Sequence, residues 1–287
     1  MVDVERWWED GERVGLPVGG AERDVFVRRM GSGSVMTVLH GFPSSSHDWA
    51  GVAPALAERH ALLLPDFLGF GASDKPAEHD YSIHEQADLV EALWEHEGVD
   101  STRVLAHDYA ATVTQELLAR RADGALRVTV EGVHLLNGGL YPDLHRPEPV
   151  QTALLDPEQG PRVAAALNQE TLTAALRPTL ATGPAPEIVG EQMWRALAHD
   201  DGHRILHLLI HYISDRRRHE KRWVTALETT DVPVAFVWGM LDPVSGAHMA
   251  RRIRERLPDA PFAALDDVSH WPSLEAPDRV AAEVLRD

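Results

Sequence analysis

The sequence predicts an α/β fold: a mostly parallel, eight-stranded sheet with helices on both faces and one helical insertion. Three observations carry this. Short apolar, β-branched runs alternate with longer stretches of helical period. The alternation breaks once, from about 140 to 224, where prolines recur and no strand pattern appears. Residues of chemical use fall at the carboxyl ends of the predicted strands, where open α/β sheets place their sites.

Residues 12–18 and 23–29 read as two opening strands joined by Gly19-Gly20. The run Val35-Met36-Thr37-Val38-Leu39 is nearly continuous in apolar character, as a buried strand requires, and ends in His40-Gly41-Phe42-Pro43. A helix is expected over 48–59, then a strand over 61–65 and the Gly-rich turn Asp66-Phe67-Leu68-Gly69-Phe70-Gly71. A helix over 83–97 starts from a capping box of Ser82 and Glu85. Strand 103–106, helix 109–122 and strand 127–136 follow, the last ending in Asn137-Gly138-Gly139. Prolines at 142, 147, 149, 157, 161, 178, 184 and 186 then divide the next segment into short helices. Strand rhythm resumes at 232–238, with a helix at 246–256, a strand at 260–265 and a last helix at 277–286. The expected organisation is a core at 1–139 and 225–287, with a helical cap at 140–224.

Composition narrows the function. With 27 Lys plus Arg against 45 Asp plus Glu, the formal charge is −18. That argues against binding phosphate backbones or anionic lipid, both of which need a dense basic face. Apolar residues at 44% supply a sizeable core, so overall disorder is not expected. The absence of cysteine excludes disulfides, a thiol nucleophile and thiolate metal sites. The sixteen histidines are scattered without metal-ligand spacing. Neither a signal peptide nor a bilayer-length apolar stretch is read, so the expected location is the cytoplasm.

The chemistry gathers at four strand ends. After Val104-Leu105 comes Ala106-His107-Asp108-Tyr109-Ala110 and then a helix, with small residues flanking a nucleophile on a sharp strand-to-helix turn. Gly239-Met240-Leu241-Asp242-Pro243 and Val268-Ser269-His270-Trp271-Pro272 follow two later strands. Each is weak alone, because an Asp at a strand end is often a helix cap and a lone His is often packing. Together, in the chain order nucleophile, acid, histidine, they point to one catalytic set of Asp108, Asp242 and His270. The Phe42 and Tyr109 amides are the expected oxyanion donors.

With His40-Gly41-Phe42-Pro43-Ser44-Ser45-Ser46-His47-Asp48-Trp49, Asp66 to Pro76, His107-Asp108-Tyr109, Asn137-Gly138-Gly139, His145-Arg146-Pro147, Arg222-Trp223-Val224 and Leu241-Asp242-Pro243, the sequence resembles the α/β-hydrolase superfamily. The resemblance is to the branch of epoxide hydrolases and haloalkane dehalogenases, and within it to the mesoderm-specific transcript type. It covers the chain from about residue 36 onward. Ala110 departs from the glycine frequent at that point of the elbow.

The resemblance implies a hydrolase that needs no metal or organic cofactor. A carboxylate nucleophile suits displacement at saturated carbon, so Asp108 would open an epoxide and form an alkyl ester. His270, oriented by Asp242, would activate the water that hydrolyses it. The substrate would be a small apolar electrophile. Epoxide oxygen needs a proton donor, for which Tyr212 and then Tyr141 are the candidates, and Trp271 is expected at the pocket mouth. Dehalogenases of the branch commonly carry Trp after the nucleophile, where Tyr109 stands here, and Asn or Trp where Phe42 stands. A dehalogenase-like C–X hydrolase and a non-catalytic ligand- or partner-binding fold-mate remain the alternatives. Homo-oligomerisation stays open. The basic run 216–222 reads as a solvated helix face or, more sharply, as a dock for an acidic partner or substrate.

Overall fold

A computed structural model describes residues 2–286. The strands β1 (Glu12–Val18), β2 (Ala21–Met30), β3 (Ser34–Leu39), β4 (His60–Pro65), β5 (Ser101–His107), β6 (Thr129–Leu136), β7 (Val234–Gly239) and β8 (Phe262–Leu265) form one sheet. Its order is β1-β2-β4-β3-β5-β6-β7-β8. The β1–β2 hairpin turns at Gly19-Gly20, both at positive φ, which glycine adopts without steric cost. β2 pairs antiparallel with β4, and every pair from β4 to β8 is parallel.

This order decides where the chemistry meets. β3 lies between β4 and β5, so the chain direction of strand addition reverses there. Leu39 pairs with Ala106, His107 with Leu136, Leu136 with Val237, and Gly239 with Leu265. The loops after β3, β5, β6, β7 and β8 therefore leave one edge of the sheet side by side.

Helices cover both faces. On one side lie α1 (Val4–Glu9), α2 (Ala53–Ala57) and, at the end of the chain, α14 (Pro277–Val284), packed through Trp7, Leu56, Val280 and Val284. On the other lie α3 (Ile83–His96), α4 (Tyr109–Ala122) and α12 (Ala247–Arg256). Two local expectations change. The helix expected over 48–59 is split into a 3-10 turn, Ser46–Trp49, and α2, because Pro54 fits only the first turn of a helix. Ser82 caps α3 by accepting from Glu85 N–H at 3.2 Å, but the Glu85 carboxylate turns away to His79 at 2.8 Å, so the box is half made.

Between β6 and β7 run α5 (Pro149–Leu155), α6 (Gly160–Ala166), α7 (Gln169–Leu176), α8 (Pro186–Ala198), α9 (Leu206–Leu209), α10 (Tyr212–Arg218) and α11 (Glu220–Thr229). Pro149, Pro161 and Pro186 sit in first turns, where a missing N–H costs nothing. Residue 224 falls inside α11. Leu154, Leu172 and Leu209 of these helices join the same apolar cluster as α3 and α4. α13 (Pro272–Glu275) is a short turn after β8. No helix among the described residues is long and apolar enough to cross a membrane.

Glu116 of α4 fastens α11 to the core. Its buried carboxylate accepts from Arg222 Nε at 2.9 Å, Trp223 Nε1 at 2.7 Å, Arg120 Nε at 3.0 Å and His84 Nδ1 at 3.1 Å. Burial opposes its ionisation, but these donors hold the carboxyl well below the usual glutamate range. Its contribution is therefore complete above that range and drains away as pH falls from there toward the lowered folded value. Glu116→Ala leaves the buried Trp223 indole N–H unpaired, while Arg120 and Arg222 keep other carboxylates, and is expected to lower unfolding free energy by about 1–3 kcal/mol, read by urea denaturation at neutral pH.

Candidate active site

Asp108 stands between β5 and α4 at φ 49°, ψ −104°, a region that L-residues seldom occupy. Bare neighbours make the turn possible. A Cβ on Gly138 would lie 2.9 Å from Ala111 Cβ and 3.0 Å from Asp108 O, and one on Gly41 would lie 3.1 Å from Asp108 Cβ. Backbone bonds fix the elbow: Asp108 N–H donates to Asn137 O at 2.8 Å, and Ala111 N–H to Asp108 O at 3.1 Å.

The side chain is almost wholly buried, and its Oδ2 accepts from Phe42 N–H at 3.1 Å. Tyr109 N–H is the first amide of α4, where helix amides lack an intrahelical acceptor. His40 joins two loops, accepting Phe67 N–H on Nε2 at 3.0 Å, with Nδ1 2.8 Å from Gly41 O. Asp66 is structural in its contacts, accepting from Ser46 N–H at 2.7 Å and Ala72 N–H at 2.8 Å.

His270 Nδ1 lies 2.9 Å from Asp242 Oδ2. The same oxygen accepts from Asn137 Nδ2 at 2.9 Å and Ser245 Oγ at 2.6 Å, while Oδ1 accepts from Val244 N–H at 2.7 Å. Burial alone would raise the Asp242 carboxyl, but the His270 charge and these bonds hold it well below its usual range. Burial alone would likewise lower the His270 imidazole. The Asp242 charge and hydrogen bond outweigh burial and, with Asp108, hold it above the ordinary histidine value. An acceptor at Nδ1 fixes the tautomer, so Nε2 is the nitrogen available to exchange a proton with the pocket.

The loop carrying His270 is clamped from three sides. Glu275 accepts Ser269 N–H and Trp271 N–H, each at 3.1 Å, and also Ala181 and Thr182 N–H from the insertion at 2.8 and 3.0 Å. His270 N–H donates to Thr179 O at 3.1 Å. His107 Nε2 lies 2.7 Å from His270 O; burial pushes the His107 imidazole down to about 4, so it is the neutral donor in this contact.

Asp108 and His270 open on one cavity of about 80 Å³. Leu154, Leu167, Leu172, Leu176, Leu206 and Val244 make it apolar, and Phe42 and Trp271 also line it. Trp271 packs edge-on against His270 at 5.0 Å and gives its indole N–H to Thr179 Oγ1 at 3.0 Å. Gln151 and Glu148 of the insertion add polar atoms. Among the described residues, no group of three or more His, Asp or Glu is arranged to hold a metal ion.

The two expected tyrosines part company. Tyr212 is buried just outside the lining, its ring 5.5 Å from Phe42 and its hydroxyl accepting from Gln151 Nε2 at 3.4 Å. Burial, then the Asp108 charge, push its hydroxyl far up. Tyr141 is not brought to the pocket: its ring lies under the Arg252 guanidinium at 5.5 Å, and Glu228 faces it.

The basic run is not one solvated face. Arg217 and Arg218 are exposed and Arg222 pairs with Glu116, but Arg216 is only 1% exposed. Arg216 Nη2 lies 3.8 Å from Asp108 Oδ1 and donates to Asp108 O at 3.3 Å, while Nε donates to Thr112 Oγ1 at 2.7 Å. The sequence held a signal for this: Tyr212 and Arg216 are four apart, hence on one face of α10, and that face carries the aromatic. The supporting contacts of Asn137, Ser245 and Glu275 were not read from the sequence: Asn137 reaches Asp242 across 105 residues, and Ser245 and Glu275 serve nearby turns whose geometry no motif marks.

Gly138→Ala is expected to destabilise the fold by about 1–3 kcal/mol, because the added methyl overlaps Ala111 and the Asp108 backbone. Thermal unfolding of the purified variant measures it, and an unchanged melting temperature would contradict the packing account of the elbow.

Comparison with known proteins agrees with this fold. Residues 35–277 match the family described as alpha/beta hydrolase fold. The chain is 39% identical over 257 residues to the mesoderm-specific transcript homolog protein of Bos taurus, covering 86% of this chain and 76% of that one. It is 39% identical over 282 residues to the putative hydrolase LipZ of Mycobacterium tuberculosis, covering 98% and 96%. Among solved structures, haloalkane dehalogenase DbeA of Bradyrhizobium elkani superposes with TM-score 0.79 at 18% identity, over 96% of each chain. The epoxide hydrolase CorEH superposes with TM-score 0.71 at 22% identity, over 96% of this chain and 98% of that one. At such identities the structural likeness is one of fold. The residues matched and the extent of identity together place the chain in the alpha/beta hydrolase fold family.

Proposed function

We propose that the protein is a hydrolase that opens an epoxide through an alkyl ester on Asp108, which water activated by His270 then hydrolyses. The observation that carries this reading is a carboxylate, not a hydroxyl, on the elbow, with Phe42 N–H on one oxygen and His270 on the same apolar cavity. Oδ1 attacks the saturated carbon in line, the ring C–O bond breaks, and the electron pair stays on the leaving oxygen. Tyr212 is the proton donor in this reading, and the proton it gives is replaced from the His270 imidazolium, which leaves the imidazole neutral for the second step. The Tyr212 hydroxyl accepts from Gln151, which leaves its own proton to give, and burial keeps that proton in place until an alkoxide forms.

His270 then takes a proton from water, and the hydroxide attacks Cγ of the ester. The Phe42 and Tyr109 amides hold the tetrahedral oxyanion; losing one such donor costs about 2.7–4 kcal/mol of barrier. Collapse expels the second hydroxyl of the diol, which takes the proton from His270. Asp242, Asn137 and Ser245 keep the imidazole aligned. The helical insertion acts as a cap: Gln151 and the leucines of α5 and α7 close the cavity over Asp108.

The dehalogenase-like reading is the second choice. A displaced halide needs N–H donors in the pocket, and the Trp271 indole is committed to Thr179. A ligand-binding fold-mate without turnover is the third, and the complete hydrogen bonding around Asp242 counts against it.

Purified protein incubated with aryl, alkyl and fatty-acid epoxides is expected to form diol from at least one, and Asp108→Ala to form none above background. Diol formation that survives in Asp108→Ala, or its absence across the panel in the unmodified protein, would reject the reading.

A further inference from the structure

Arg216 is a buried cation that the steps above do not use. It comes from α10 of the insertion, crosses to α4 through Thr112, and ends on the backbone carbonyl and the carboxylate of Asp108. Its guanidinium carbon lies over the Tyr212 ring, 4.6 Å from the centroid, and Nη1 has no hydrogen-bond partner among the described residues. A Cβ on Gly139 would fall 2.3 Å from Nη1, so this packing too depends on a bare glycine. Arg216 is not among the residues that line the cavity; its contacts are with the nucleophile, Thr112 and the Tyr212 ring. A guanidinium keeps its charge across the working range of any enzyme, and one buried here must be balanced by a neighbour.

We propose that Arg216 is a positioning cation whose balance with Asp108 converts His270 from a proton-holding to a proton-accepting group at the moment the ester forms. The inference rests on the covalent reading above. In the free enzyme, the Asp108 and Asp242 carboxylates face the Arg216 and His270 cations, and the four charges cancel. Forming the C–O bond to Asp108 removes one negative charge and leaves the other three. Arg216 cannot give up its proton, so the surplus positive charge is relieved at His270. The first half-reaction is proton-neutral, because the alkoxide released by ring opening takes up one proton while the imidazolium gives one up. In the second half-reaction water supplies hydroxide to Cγ, its proton goes through His270 to the departing alkoxide oxygen, and Asp108 is left as a carboxylic acid. That acid gives its proton to the imidazole, which restores both the ionised pair with Arg216 and the imidazolium.

The other groups around His270 do not supply such a switch. Asp242 and Glu275 favour the imidazolium and take no part in the bond changes at Asp108. His107 and His145 are pressed toward neutrality by burial. The buried Asp48 carboxyl, raised by burial to about 7 and bonded by Ser44, adds an anion if ionised and not a cation. Arg216 is thus the cation in contact with Asp108 that survives esterification.

The test needs no substrate. Asp108→Asn is a neutral isostere of the ester, and the His270 ring can be followed by NMR titration of labelled histidine, assigned with His270→Gln. Asp108→Asn is expected to lower the His270 midpoint from that of the unmodified protein. Adding Arg216→Gln should bring it back up by about one pH unit, the size expected for loss of a nearby buried charge. Arg216→Lys, which keeps the charge, should hold the midpoint low, as a purely structural role would not require. Arg216→Met is the second neutral variant should Arg216→Gln fail to fold. Midpoints that agree in Asp108→Asn with and without the Arg216 charge would overturn the proposal. A parallel single turnover with styrene oxide, analysed by peptide mass, separates the two claims. Ester on Asp108 with an unmoved titration rejects the role of Arg216 alone. A moved titration with no ester from any epoxide rejects the covalent reading and leaves the charge coupling standing.

Discussion

One strained residue organises this protein. Asp108 is held at positive φ, at a cost of about 1–3 kcal/mol, and persists there because its surroundings over-determine it. Asn137, just after β6, and Ala111 of α4 bind its backbone, Gly41 and Gly138 give it room, and Arg216 reaches its carbonyl from the insertion. The strain brings a carboxylate to the head of a helix and to the edge where the parallel strands end. A relaxed conformation would turn the same side chain into an ordinary helix cap.

The insertion is part of the site's construction as well as its roof. Arg222 and Trp223 dock on Glu116, Ala181 and Thr182 donate to the carboxylate that also holds the His270 loop, and Thr179 binds that loop twice. Each contact spans a long stretch of chain, so the site forms only when core and insertion are both folded. The result is a small apolar cavity with few charged groups on its lining, and a low dielectric makes each of them count for more.

The parts of this arrangement that obey local rules were legible in the sequence. Strand period placed the eight strands, and the small residues about Asp108 marked the elbow. The chain order of Asp108, Asp242 and His270 followed from what sits at strand ends, and the structure brings those residues together. What the sequence hid depends on direction. A proline inside 48–59 turned one helix into two pieces, and Glu85 chose His79 over its cap partner. Tyr141 and Tyr212 look alike in a helical segment, yet one faces Arg252 and the other Phe42. Seven largely polar residues from 216 to 222 conceal that a single arginine points inward, because composition averages over faces that a helix separates.

The central claim is that carbon–oxygen chemistry passes through Asp108. A single turnover in oxygen-18 water, with enzyme in excess over styrene oxide, tests it directly. The account predicts that the heavy oxygen appears first in the Asp108 carboxylate, located by peptide mass, and that the diol of that turnover carries none. Heavy oxygen in the diol and none in Asp108 would mean that water attacks the substrate itself, and would contradict the account.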